Sequence, residues 1–381
     1  MGTSNQLKVL VLENALNVTG SFTSILLVSK VFQDEVETIF VLPEGSACCA
    51  ILRANGFSVY ELPFIELSRR IGDLGWYIPR LINNARRLAQ LIEEEQIKVV
   101  HTNDLYNLCA YTSRLFGMRL PILTHIRMMP ASFPDFIYRF WTWLHLRLAS
   151  QILCVSEAVA QRFIHSKKAI IVFDHLNIEE KYPFRIYSNL VENQPISLLY
   201  VGNYMKGKGQ DFAIKAFHLA YQQNPNLRLT FVGGDMGMKK HQEFKAKLME
   251  DAKQYGIDKV VEFRGQSSDV EWELKQHHIS LNFSGAESFS LTCLEALYYG
   301  IPLIATDCGG PAELFEHGQS GYLVPVGAIQ EMKDAILTLA GDARLRKQFS
   351  ERGREYVIKK IIQNDTPGKL KDIYLQLAGK E

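Results

Sequence analysis

Two Rossmann-like α/β domains in tandem are the fold class this sequence predicts, and three observations predict it. Short β-branched apolar runs alternate with longer helical patterns along the chain. These runs are apolar nearly throughout, which marks parallel strands covered on both faces. Thirteen of them can be read, too many for one ordinary sheet.

The strand runs are justified in chain order by their β-branched content and by the turn residues that bound them. In the first half they are LKVLVL (7–12), TIFVL (38–42), FSVYEL (57–62), KVV (98–100), PILT (121–124), QILCV (151–155) and AIIVF (169–173). In the second half they are ISLLYVG (196–202), LRLTFVG (227–233), VVEFRG (260–265), ISLNFS (279–284), PLIAT (302–306) and YLVP (322–325). The stretch YPFRIYSNLVENQP, from Tyr182 to Pro195, has no clear period and two prolines, so the boundary is expected there. The expected domains are 1–185 and 195–355, followed by helices over 356–381. Ligands of such sheets bind beyond the carboxyl ends of the strands, and two facing domains form a cleft there.

Bulk composition narrows the function. The chain has 381 residues, 47% hydrophobic and 22% charged, a globular balance. Lys and Arg total 42 against 41 Asp and Glu, so a net charge of +1 gives no electrostatic case for nucleic acid. The six cysteines form no Cys-x-x-Cys pair and mostly fall in apolar runs, as buried free thiols in a reducing compartment do. The start MGTSNQLKVLVLE runs almost straight into a strand, so a signal peptide is not expected, and no apolar run reaches membrane-spanning length. The expected location is the cytoplasm.

The most informative stretch is SGAESFSLTCLEALYYGIPLIATDCGG, residues Ser284 to Gly310. A helix is expected to start near Ser288 to Ser290, because Ser is a good N-cap, and to stop at Gly300 before Pro302. Leu291, Leu294 and Leu297 recur at helical spacing. Glu295 lies off that stripe, and helical side chains lean toward the N-terminus. Glu287 and Glu295 can therefore both address the mouth of one helix. That mouth carries free N–H groups and partial positive charge, a ready phosphate site. Carboxylates would compete with phosphate there, but they accept well from sugar hydroxyls. A nucleoside diphosphate sugar, with phosphates between two hydroxyl-bearing rings, uses all three features. Phe289, Ser290 and Leu291 form the mouth and are assigned to the donor.

The same block resembles the signature of the retaining glycosyltransferases of family 4, which have the GT-B fold. That pattern is a Glu, seven residues, a second Glu, then Ala, a Gly-x-Pro turn, a strand, and a Gly-Gly loop followed by Glu. The resemblance covers most of the chain and is strongest from Leu198 to Val326. It implies that Glu287 orients the transferred sugar and that Glu295 holds the ribose. After the strand ISLLYVG comes NYMKGKGQDF, where the family shows Gly-Arg and then Lys-Gly; Lys208-Gly209 matches the second pair, whereas Asn203 replaces the arginine. An amide supplies no charge and no bidentate fork, and Lys206 is the compensating point charge on offer. Gly265 and Gln266 end a strand where the family binds the nucleotide base through backbone atoms.

In the first domain Gly20-Ser21 stands where the family often has a Gly-Gly pair, so Gly20 is assigned to the donor and Ser21 to the acceptor side. His125, at the end of PILTH, takes the place of a family His that lies over the transferred sugar and is assigned a catalytic role. Arg127 is placed on the acceptor side. His101 is read as structural. The family's Asn-Gly-x-Asp is replaced by Asp174-His175-Leu176-Asn177, and no role is carried over there. The family also implies C-terminal helices that cross back to the first domain.

The expected activity is transfer of a sugar with retention from a nucleoside diphosphate sugar to a glycan or lipid-linked acceptor. No Asp-x-Asp motif is apparent, and no metal or other cofactor is expected; amides and cations stabilise the leaving diphosphate. The aromatic segment FPDFIYRFWTWLHLRLA (133–149) is read as a core-packing helix in preference to a peripheral membrane contact. Two other readings stay open: a phosphorylase or epimerase of the same fold, and a non-catalytic nucleotide-sugar-binding subunit.

Overall fold

The computed structural model describes residues 6–64, 71–176, 181 and 194–379. By its contacts the chain forms two units, Met1–Asn177 with Asp365–Glu381, and Ile178–Asn364. Residues 182–193 of the expected boundary lie outside the described residues.

The first unit carries a parallel sheet of β1 (Leu7–Glu13), β2 (Val36–Pro43), β3 (Ser58–Leu62), β4 (Val99–Asn103), β5 (Ile122–Ile126), β6 (Gln151–Cys154) and β7 (Ala169–Ile171). Its order is β3-β2-β1-β4-β5-β6-β7, which reverses between β1 and β4. The core runs through Val9, Val11 and Phe40 of the sheet and Phe22 and Ile25 of the helix Gly20–Val31. Leu370, Tyr374 and Leu377 of the helix Thr366–Ala378 join it. That helix is tied down by Thr366, whose hydroxyl donates to the Phe173 carbonyl at 3.0 Å.

The second unit carries β8 (Ile196–Val201), β9 (Leu227–Val232), β10 (Val261–Arg264), β11 (Ile279–Asn282), β12 (Leu303–Thr306) and β13 (Tyr322–Val324), in the order β10-β9-β8-β11-β12-β13. Here the order reverses between β8 and β11. Leu198, Tyr200, Phe231 and Phe283 pack with Ala213 and Phe217 of the helix Gln210–Gln223. The helix Ala343–Lys360 lies wholly in this unit, with Gly353 against Leu297, so the break expected after residue 355 falls inside a helix and the chain re-enters the first unit at Asp365.

All thirteen expected strands form, each within three residues of its expected ends. The aromatic helix Asp135–Leu148 corrects one expectation. Tyr138, Trp141 and His145 are buried as a core helix requires, but Phe136, Phe140 and Trp143 point outward into solvent.

Candidate functional site

At the reversal point of the second sheet, the loops after β8 and β11 lie directly on each other. Gly209 has φ +77°, and a Cβ there would fall on the Phe283 carbonyl, so only glycine permits this approach. The Tyr200 hydroxyl clamps the pair: it donates to the Lys208 carbonyl and accepts from the Phe283 N–H at 2.7 Å. Lys208 Nζ then reaches Glu287 Oε1 at 2.6 Å, and Ser284 Oγ donates to the same oxygen at 2.8 Å. The Lys208 side chain keeps 31% exposure. Burial works to lower its pKa, but the Glu287 carboxylate outweighs burial and raises it, so Lys208 is a cation at neutral pH.

Glu287 is held by its backbone, which bridges in parallel to Gly309. Its N–H donates to the Cys308 carbonyl at 3.3 Å, and its carbonyl accepts from Gly310 N–H at 2.8 Å. A Cβ on Gly310 would run into the backbone of Ser288 and Phe289. The glycine pair after β12 is thus a spatial requirement of the loop that presents Glu287.

The helix Leu291–Tyr298 opens at Ser290, which takes the left-handed backbone (φ 84°, ψ 87°) and caps Cys293 N–H at 3.4 Å. Asn282, the last residue of β11, donates to Ser290 Oγ at 3.1 Å and fixes the cap. The amides of Leu291 and Thr292 have no hydrogen-bond partner among the described residues, as expected of the first turn of a helix. Phe289 is buried as a whole residue, and its backbone is packed against Gly310. One turn into the helix sits Glu295, partly buried, whose side chain has no hydrogen-bond or ion-pair partner among the described residues. Burial pushes its carboxyl up to about 7.

Asn203 does something the sequence does not announce. Its Oδ1 accepts from Gly234 N–H at 3.2 Å and stitches the loop after β8 to the loop after β9. Gln210 Nε2 donates to the Asn203 carbonyl at 2.9 Å. Gly265 and Gln266 are exposed at the end of β10, and Lys206 is exposed with no ion pair among the described residues. The structure therefore gathers Asn203, Lys208, Gly265, Gln266, Glu287, Phe289, Ser290, Leu291 and Glu295 along the carboxyl edge of one sheet.

Gly20, Ser21, His125 and Arg127 belong to the first unit. Gly20 and Ser21 open the helix Gly20–Val31, capped by Thr19, whose hydroxyl accepts from Phe22 N–H at 3.2 Å. Glu13, Asn103 and His125 stand in one register row at the carboxyl edge of the sheet. Asn103 donates to Glu13 and accepts from Arg127 Nε at 2.8 Å. Arg127 also forms a buried ion pair with Asp174 and donates to His125 Nδ1 at 3.2 Å. With Nδ1 accepting, the ring proton belongs on Nε2. Burial first, then the Arg127 cation and His101, hold His125 well below the usual imidazole range, so it is neutral at pH 7. The residue is 2% exposed. Arg127 is 7% exposed and its guanidinium is committed to these partners. His101 is fully buried, with Nδ1 on the Tyr374 hydroxyl at 2.6 Å.

Glu13, Asn103 and Asp174 are the members of this network that sequence reasoning missed. Asp104 joins them: its backbone is strained at φ 135°, and its carboxyl takes Leu105 N–H at 2.8 Å and Arg127 N–H at 3.4 Å. A polar residue closing each strand of a buried row was the one signal available.

Comparison with known proteins fits this geometry. Residues 185–356 match the family described as Glycosyl transferases group 1, and residues 49–172 match Glycosyltransferase Family 4. The N-acetyl-alpha-D-glucosaminyl L-malate synthase of Bacillus anthracis is 25% identical over 337 residues, covering 84% of this chain and 81% of that protein. The lipopolysaccharide 1,6-galactosyltransferase of Salmonella typhimurium is 28% identical, over 49% of each chain. Anabaena HepE, solved in complex with UDP and glucose, superposes with a TM-score of 0.79 at 18% identity, over 97% of this chain and 99% of that one.

Proposed function

We propose, from the premise that this chain is a glycosyltransferase of the family-4 type with the GT-B fold, that it moves a sugar with retention from a nucleoside diphosphate sugar to a glycan or lipid-linked acceptor in polysaccharide or glycoconjugate synthesis. The observation that carries the reading is the Lys208–Glu287 pair at 2.6 Å beside the open mouth of the helix Leu291–Tyr298. Cation, anion site and free carboxylate lie together where the strand order reverses, which is where open α/β sheets take ligands.

The donor diphosphate sits on the Leu291 and Thr292 amides and draws Lys208 toward itself. Glu287, still held by Ser284, is released to accept from hydroxyls of the transferred sugar. Glu295 accepts from the ribose. As the glycosidic bond breaks, its electron pair passes to the leaving phosphate oxygen, and Lys208 with the helix mouth stabilises that charge. The acceptor hydroxyl attacks the same face of the sugar and gives its proton to the departing diphosphate, with no covalent enzyme intermediate. His125 acts on the sugar as a neutral imidazole, kept in one tautomer by Arg127. Fixed cations and amides supply the charge, so no divalent metal takes part.

HepE is recorded with UDP and glucose, so UDP-glucose is the first donor to offer, followed by other uridine and guanosine diphosphate sugars. The test is thermal stabilisation by each donor, followed by proton NMR of the product's anomeric configuration in EDTA. An α-linked product from an α-donor supports the reading. Inversion, or an absolute and metal-reversible need for a divalent ion, would overturn the mechanism. Binding without any transfer or donor hydrolysis would favour a non-catalytic subunit.

A further inference from the structure

The helix Asp135–Leu148 is anchored on one side and bare on the other. Inside, His145 Nδ1 bonds the Tyr111 hydroxyl at 2.8 Å and its Nε2 donates to the Leu105 carbonyl at 2.7 Å. Tyr138 donates to the Met128 carbonyl at 3.2 Å. These buried bonds fix which face points out. On that outer face Phe136, Phe140, Trp143 and Arg147 follow one another at one-turn spacing. Phe136 is 74% exposed, and Phe140 and Trp143 are 51% exposed each. The Phe140 and Trp143 rings stack at 6.2 Å, and the Arg147 guanidinium lies 5.1 Å from the centre of the Trp143 ring. Arg139 flanks the line. Leaving three stacked or adjacent aromatics in water is costly for a chain whose other aromatics are mostly buried.

The charge around the line is predominantly basic. From Phe133 to Lys168 there are five basic residues against two acidic ones. Of the two, Asp135 is held by Arg162 at 2.7 Å and lies 3.9 Å from Arg139, whose side chain stays 74% exposed. Aromatic rings in a line, rimmed by arginines, match the interface of an anionic bilayer: rings at headgroup depth, guanidinium groups on the phosphates. No helix among the described residues is long and apolar enough to cross a membrane, so the contact would be peripheral. We propose that this outer face docks the protein on an anionic phospholipid surface, with Phe136, Phe140 and Trp143 entering the headgroup layer and Arg139 and Arg147 binding lipid phosphates. The proposal rests on exposure and charge within the first unit and not on the transfer chemistry, so either can fail alone.

The test is co-sedimentation of the full chain with phosphatidylcholine vesicles, with and without phosphatidylglycerol. Wild type should partition onto the anionic vesicles and be released by high salt. The variant carrying Arg139→Gln and Arg147→Gln should bind about thirtyfold more weakly, at roughly the worth of two surface arginines. The variant carrying Phe136→Ser, Phe140→Ser and Trp143→Ser should lose binding while its far-ultraviolet dichroism and melting temperature stay near wild type, since all three side chains are exposed. Equal binding to both vesicle types, or undiminished binding by the folded aromatic variant, would overturn the proposal. So would a wild-type dimer, seen by sedimentation without lipid, that the aromatic variant dissolves, because the occupant would then be a second copy.

Discussion

Glu295 and Lys208 illustrate how single groups carry the site. Burial raises the Glu295 carboxyl to about 7, and no group among the described residues bonds it. The folded state thus holds this proton more tightly than the unfolded chain, whose group titrates near 4.5. Between those two values the native state binds more protons, so Glu295 makes stability fall as pH rises through the window. A ribose hydroxyl donates more strongly to the carboxylate than to the neutral acid, whose carbonyl oxygen is the weaker acceptor. Uridine diphosphate affinity should therefore increase between about pH 6 and about pH 8 in wild type, and the Glu295→Gln variant should show a smaller increase. Calorimetric titrations at both pH values check this; equal slopes would remove Glu295 from the nucleotide site, because ionisation of the phosphate is common to both proteins. Lys208→Ala should lower turnover by about 10²–10³-fold, the usual loss for a group that stabilises developing negative charge. Lys206→Ala should change it little, since that side chain is exposed and unpaired among the described residues. Steady-state rates of the two variants decide between them.

At the scale of elements, the strands and the helix Leu291–Tyr298 were legible because local rules write them: apolar runs between turn residues, a serine cap, a glycine stop. The networks were not. Asp174 finds Arg127 across 47 residues and Asn103 finds Arg127 across 24, and such pairings leave no period in the chain. The role of Asn203 was hidden for the same reason. Read as a missing arginine, it is a backbone stitch between two loops, visible only once Gly234 is beside it. Glycine identity was legible only in part: Gly310 matched a motif, but the cause is the Ser288–Phe289 backbone pressed against it. Gly310→Ala should force that loop away from Glu287, lowering stability by about 1–3 kcal/mol and turnover more than the stability loss explains. Gly265→Ala is the control: no atom lies within 4 Å of its added Cβ, so its melting temperature should match wild type. Calorimetric melts of both variants, beside rates measured well below either melting point, check the contrast. A Gly310→Ala protein with wild-type stability and rate would show that the close approach is relieved without consequence.

For the molecule as a whole, the two units divide the candidate site residues. The second unit holds Lys208, Glu287, Glu295 and the mouth of the helix Leu291–Tyr298, whereas the first holds His125 in a buried row with Arg127. If the nucleotide is bound by the second unit, its footprint should fall on the loops after β8 and β11 and on the first turn of the helix Leu291–Tyr298. The Leu291 and Thr292 amides have no hydrogen-bond partner among the described residues, so new protection from hydrogen exchange on adding uridine diphosphate should be clearest there. The His125→Ala variant supplies the second arm. A neutral imidazole assigned to the sugar has no part in holding the free nucleotide, so this variant should show the same footprint and the same affinity as wild type. Its turnover should nevertheless fall by about 10²-fold or more, because an interaction made with the reacting ring counts most in the transition state. The variant also removes a buried ring and leaves Arg127 without one acceptor, so its melting temperature must be measured and rates compared at a temperature where both proteins are folded. A nucleotide footprint absent from the loops after β8 and β11 would displace the donor from the second unit. An unchanged footprint with wild-type turnover would leave His125 a structural member of its row, beside His101.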